Sequence, residues 1–135
     1  MRQYLPEVFV QRALTAHLHV QGYQVREEVP FGNSRFDALA FGGDKVLGFE
    51  VKLHSWSRAF KQAQTYKLCC DEVYIVIPAG SVTDRINARC LGESVGLVAI
   101  GPPPAWDFRI VLAAPPSPIK NRLHHASIQR IAAFR

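Results

Sequence analysis

Asp37, Glu50 and Lys52 are the residues whose types and spacing point most directly to chemistry. On a strand from Lys45 to Leu53, side chains alternate across the sheet. Leu47, Phe49, Val51 and Leu53 share one face, and Gly48, Glu50 and Lys52 the other. A preceding strand, Arg35 to Phe41, joins it through Gly42-Gly43, a strong short-range hairpin signal. A two-residue loop pairing Phe41 with Asp44 sets Asp37 opposite Gly48, on the face of Glu50 and Lys52, and any even-length loop keeps that parity. The two acids are then diagonal neighbours with backbones roughly 7–8 Å apart, a gap that two carboxylates can close around one cation.

That donor set suits a hard divalent ion. Mg²⁺ takes oxygen ligands, keeps several waters and bridges carboxylates to a phosphate; Mn²⁺ is the expected substitute. Such an ion lowers the pKa of an attacking water and neutralises charge at a phosphoryl centre, while Lys52 beside it can orient the water or pair with the phosphate. Gly48 is expected to leave space for the ion and the scissile phosphate. A strand with Glu and Lys alternating against aliphatics is, by itself, more often a solvated sheet face. The placement of Asp37 on the strand before it favours a site.

The order Asp37, hairpin, Glu50-Val51-Lys52 resembles the PD-(D/E)xK nuclease superfamily, shared by restriction enzymes, archaeal Holliday-junction resolvases and RecB-like nucleases. The resemblance spans roughly Glu7 to Ile100. It implies a restriction endonuclease-like αβββαβ core with Asp37 and Glu50 as metal ligands and Lys52 as the catalytic lysine. It also implies a metal-ligating role for Glu7, as the acid of the first helix, and a supporting role for Gln62 with Tyr66, similar to the Gln-x-x-x-Tyr motif of RecB-like members. Phe36 stands where a proline often precedes the aspartate in this family.

The elements that must position these residues follow from periodicity. Pro6 suits the first turn of a helix running to about Gln21, with Phe9, Val10, Ala13, Leu14, His17 and Leu18 as its apolar face. Tyr23 to Val29 alternates as a strand, closed by Pro30 and a Gly32-Asn33-Ser34 loop. After the hairpin, Ser55 is a candidate N-cap for a helix from about Trp56 to Leu68. Val73 to Ile77 reads as a buried strand, Ser81 to Leu91 as a helix stopped by Gly92, and Val95 to Ile100 as another strand. An edge strand, Trp106 to Leu112, completes an α/β fold with a central mixed sheet flanked by helices. Residues 1–112 form the expected nuclease-like domain, and 113–135 a spacer with Pro115, Pro116 and Pro118 leading to a basic terminal helix.

Other residues admit two readings. Glu7 either joins a metal or simply interacts with its helix dipole. Glu27 shares a strand face with Val25 and Val29 and is either another member of the site or an edge residue. His54 continues the Glu50 and Lys52 face but is not assigned to catalysis, and adjacent His124 and His125 lack zinc-ligand spacing. Arg35, Arg58, Lys61, Lys67 and the aromatic Tyr66 lie near the site in sequence. They are candidates for contact with nucleic acid, as are Lys120, Arg122, Arg130 and Arg135 of the tail. The tail helix, with Leu123, Ile131 and Phe134 as its stripe, can dock on the core or pair with a second copy as a homodimer.

Size and composition set outer bounds. The 135 residues, 48% hydrophobic, suit one core. No apolar run approaches the ~20 residues of a membrane span, and a cytoplasmic location is the default expectation. Cys69, Cys70 and Cys90 form no Cys-x-x-Cys pair and read as small buried hydrophobes. A net charge of +5 favours a polyanionic partner. Together these features predict a Mg²⁺-dependent endonuclease hydrolysing phosphodiester bonds in DNA, of the structure-selective or repair kind. The alternative is a DNA-binding or partner-binding module that keeps the fold with little catalysis.

Overall fold

The structure, a computed structural model, describes residues 7–54 and 56–133. The expected roles of Pro6, Ser55, Phe134 and Arg135 lie outside the described residues. The elements run α1 (Glu7–Val20), β1 (Gln24–Phe31), β2 (Ser34–Gly42), β3 (Lys45–Val51), α2 (Trp56–Tyr66), β4 (Glu72–Pro78), α3 (Asp84–Gly92), β5 (Gly96–Ile100), β6 (Phe108–Leu112) and α4 (Arg122–Ala133). The first six reproduce the αβββαβ order. The six strands form one open mixed sheet in sequential order. β1, β2 and β3 are antiparallel, β3, β4 and β5 are parallel, and β6 closes the far edge antiparallel.

The parallel run explains the composition. β4 and β5 are buried on both faces, under the crossover helices α2 and α3 on one side and within the cluster that includes α1 on the other, so they read as unbroken apolar stretches rather than alternating ones. One apolar cluster joins α1, through Val10, Leu14 and Leu18, to Ala38, Phe49 and Val51. The other joins α2, α3 and α4, through Phe60, Tyr66, Cys90 and Ile128, to Leu39, Val46 and Ile75. The three cysteines are free and buried, as small hydrophobes should be. No helix among the described residues is long and apolar enough to cross a membrane.

Two turns differ from expectation. The β2–β3 loop is Gly43-Asp44, with Gly42 paired to Lys45 and Leu39, not Asp37, opposite Gly48. Gly43 takes φ +59 at the first central position, the placement that a type II′ hairpin turn requires. Gly42 is instead needed because a Cβ there would lie 2.8 Å from the Tyr23 ring. β1 does not stop at Pro30, which pairs with Arg35, and the turn is Gly32-Asn33. β1 is an edge strand, where proline's missing N–H breaks no ladder. α3 also starts later than expected, after a short 3-10 turn at Ala79–Ser81, because the Thr83 hydroxyl caps it by accepting from Ile86 N.

The segment after the prolines is fastened to the core. Lys120 Nζ and His125 Nε2 both reach Asp71, at 2.6 and 3.0 Å, Ser117 Oγ donates to Lys67 O, and Ile128 is buried with α2. The terminal helix therefore docks on its own chain, over the hairpin end where Gln129 donates to Asp44 O.

Candidate active site

The carboxylates converge where β2 and β3 leave their ladder. Ala38 and Phe49 are the last paired residues, and the next ones along each strand are Asp37 and Glu50. The turn is one residue later than expected, so parity is kept and the acids face each other directly instead of diagonally. Val51 N donates to Asp37 Oδ2 at 2.9 Å, which holds that carboxyl against the end of β3. Glu50 points to the α2 side and is 3% exposed.

Tyr66, on the last turn of α2, ties the two strands together from beneath. Its hydroxyl accepts from Asp37 N at 2.7 Å and donates to Glu50 Oε1 at 2.8 Å. The ring fits because position 48 is glycine: a Cβ there would lie 2.5 Å from Tyr66 Cδ2 and 2.9 Å from Cys70 Sγ. This corrects the expectation for Gly48, whose open side is filled by packing and offers no room for an ion. It also corrects the reading of Tyr66 as a nucleic-acid contact. The residue is 0% exposed and acts on the carboxylates from within the core.

Electrostatics follow from burial. Desolvation, then repulsion from Asp37, pushes the Glu50 carboxyl up to about 8, while its bond from Tyr66 and the nearby Lys52 pull the other way. Burial also raises Asp37 above the usual carboxylate range, with the Val51 N–H opposing it. Desolvation and the two acids raise the Tyr66 phenol, so it stays a protonated donor. Lys52 Nζ lies 3.9 Å from Glu50 Oε2, with its side chain 22% exposed. It shares the Glu50 face, as the strand period requires.

Above these groups an open polar pocket of about 660 Å³ is lined by Asp37, Glu50, Lys52, Gln62, Arg35 and Glu28, with the β1–β2 turn as its rim. Gln62 thus stands at the site, half-buried on α2. Arg35 stands there too, paired at 4.0 Å with Glu28. Arg58 and Lys61 are exposed on α2 but line no part of the pocket. Glu7 opens α1, on the other face of the sheet, and does not line the pocket either. Lys67 is buried, its ammonium donating to Glu93 O, and so is unavailable to phosphate.

Glu28 is the pocket residue that the sequence reading missed. The pairs Glu27 with Ala38 and Val29 with Phe36 bracket it across from Asp37. It adopts φ +55, a conformation that costs a non-glycine residue about 1–2 kcal/mol. The kink sends Val25 and Val29 to opposite faces of the sheet, against simple alternation. Glu27, the acid weighed from sequence, instead accepts from Gln11 Nε2 on the α1 side at 2.8 Å. The missed signal was Gly32-Asn33 read as a two-residue hairpin, whose register places Glu28 by arithmetic.

Two carboxylates thus meet at one spot, with Glu50 held above the usual carboxylate range first by burial and then by the neighbouring Asp37. Among the described residues no cluster of three His, Cys, Asp or Glu side chains assembles to hold a metal. Asp37 and Glu50 alone match the one or two carboxylates that Mg²⁺ commonly takes, the rest of its shell being water and phosphate.

No family model matches the sequence, and no curated protein matches it. Among solved structures, the chain is similar to SPO1766, a protein of unknown function from Silicibacter pomeroyi. The two share 22% identity and a TM-score of 0.71, covering 98% of this chain and 86% of that one. SfsA of Pyrococcus furiosus, solved in complex with Ca²⁺, is similar over 81% of this chain and 61% of that one, at 15% identity and a TM-score of 0.41. At 22% identity the likeness to SPO1766 is one of fold, and it extends over nearly the whole chain, terminal helix included.

Proposed function

We propose that the protein is a metal-dependent nuclease of the PD-(D/E)xK type that hydrolyses phosphodiester bonds in DNA. One observation carries the reading: Asp37 and Glu50 meet at the end of adjacent strands in a polar pocket, with the Lys52 ammonium 3.9 Å from Glu50. A solvated sheet face gives no reason to bury a glutamate at 3% exposure beside a second acid.

Asp37 and Glu50 would hold Mg²⁺ or Mn²⁺. When bound, the ion supplies a water acidic enough to attack and positive charge for the phosphoryl oxygens. Val51 N–H and the Tyr66 hydroxyl fix the two carboxyls before substrate arrives, so little reorganisation remains at the moment of reaction. Lys52, on the solvent side, orients the water or meets a phosphate oxygen. Gln62 faces the pocket from α2 with amide groups suited to holding either Lys52 or the strand. Arg35 stands at the rim and pairs with a phosphate when Glu28 releases it.

The test is to incubate supercoiled, linear, single-stranded and branched DNA with the protein in Mg²⁺, in Mn²⁺ and in EDTA, with Lys52→Ala alongside. The expected result is metal-dependent cleavage of at least one substrate, slowed 10²-fold or more in Lys52→Ala, the order expected for losing a transition-state donor. Cleavage that persists in EDTA, or equal cleavage by both proteins, defeats the proposal.

A further inference from the structure

A second groove lies between α2 and α3, about 860 Å³ in volume, within the range that seats a small ligand. Trp56 and Phe60 of α2 supply aromatic surface, and Arg85 and Arg89 of α3 supply charge; no carboxylate lines it. Arg89 is already engaged, 2.9 Å from Glu93 and 4.5 Å above the Phe60 ring. Arg85 is exposed and, among the described residues, has no ion-pair partner, and Trp56 is only half-buried. The groove therefore presents one indole face and one uncommitted guanidinium.

Its position links it to the pocket around Asp37 and Glu50. α2 borders both: Gln62 faces the pocket, and Trp56 opens the groove six residues earlier, about 9 Å along the axis at ~1.5 Å per residue. Aromatic faces next to cations are how proteins hold unpaired nucleotides without reading sequence, because every base offers a π-face and every nucleotide a phosphate. A duplex shields its base faces by stacking and has no use for an indole in a cleft.

We propose that the groove binds unpaired nucleotides of the DNA strand engaged at Asp37 and Glu50, Trp56 stacking on a base and Arg85 meeting a phosphate. The inference rests on the nuclease reading for the identity of the strand, and it narrows the substrate to DNA with a single-stranded segment beside the cleaved bond.

The test separates binding from cleavage. Fluorescence anisotropy in EDTA, with a labelled single-stranded 15-mer and the blunt duplex of the same sequence, compares wild type with Trp56→Ala, Trp56→Phe and Arg85→Ala. The expected result is preference for the single strand, an affinity loss of at least about fivefold in Trp56→Ala, and retention of most of the affinity in Trp56→Phe. Arg85→Ala should make the slope of log affinity against log salt shallower by about 0.7, one phosphate contact on a single strand. Wild-type affinity in both Trp56→Ala and Arg85→Ala, or preference for the duplex, overturns the proposal. Binding is read in EDTA and cleavage only with metal, so failure of the nuclease reading shows only in the cleavage assay and is distinguishable from failure here.

Discussion

The hydroxyl of Tyr66 lies 2.8 Å from Glu50 Oε1 and makes a residue of the core part of the polar site. The same oxygen accepts the backbone N–H of Asp37, so one side chain sets the separation of the two acids. Tyr66→Phe leaves that N–H without its acceptor and takes from Glu50 Oε1 its hydroxyl donor. A loss of about 1–3 kcal/mol in urea denaturation is expected, the cost of a buried polar group left unsatisfied. Cleavage should fall through kcat more than KM, since substrate never touches this residue.

Without metal, stability should depend on pH through Glu50. The unfolded chain releases its proton near the usual 4.5 and the folded chain near 8, so between these values the folded state holds the extra proton. Stability then falls as pH rises across that window. Glu50→Gln, uncharged throughout, should flatten the profile and melt above the wild type at pH 8–9. If the proposed ion displaces the same proton, Mn²⁺ should raise the wild-type melting temperature more at pH 8 than at pH 6 and leave Glu50→Gln little changed. Scanning calorimetry across pH, with and without Mn²⁺, reads both effects.

Gly48→Ala is the sharpest probe of packing beneath the site. The added Cβ would meet the Tyr66 ring at 2.5 Å and Cys70 Sγ at 2.9 Å, so Tyr66 has to move. Overpacking of this kind costs about 1–3 kcal/mol. If Tyr66 positions the acids as described, cleavage drops in this variant even though nothing in the pocket has changed. A variant that melts lower but cleaves like wild type would separate Tyr66 from the chemistry.

Much of this arrangement was legible in the chain. Alternation around Phe49 and Val51 put Glu50 and Lys52 on one face, and parity brought Asp37 to that face whichever even-length turn formed. The unbroken apolar run of Val73 to Ile77 announced a buried strand. What stayed hidden depended on three-dimensional contact. Gly42 read as a turn residue and Gly48 as open space, and both instead accommodate an aromatic ring, Tyr23 and Tyr66, distant in sequence. Pro30 ended β1 on paper because only the finished sheet shows β1 to be an edge. Glu28 escaped notice because its kink breaks the alternation used to assign faces. The docking of α4 on Asp71 rests on a loop whose partners lie about fifty residues away.

The central claim is that Asp37 and Glu50 hold the ion that activates water against a phosphodiester. The most direct measurement is the rate of strand cleavage in Mg²⁺ by wild type and Asp37→Ala, side by side on the best substrate. The expected result is a loss of about 10³-fold or more in Asp37→Ala, the several kcal/mol that metal assistance supplies, with a folded variant by circular dichroism. Equal rates from the two proteins would contradict it.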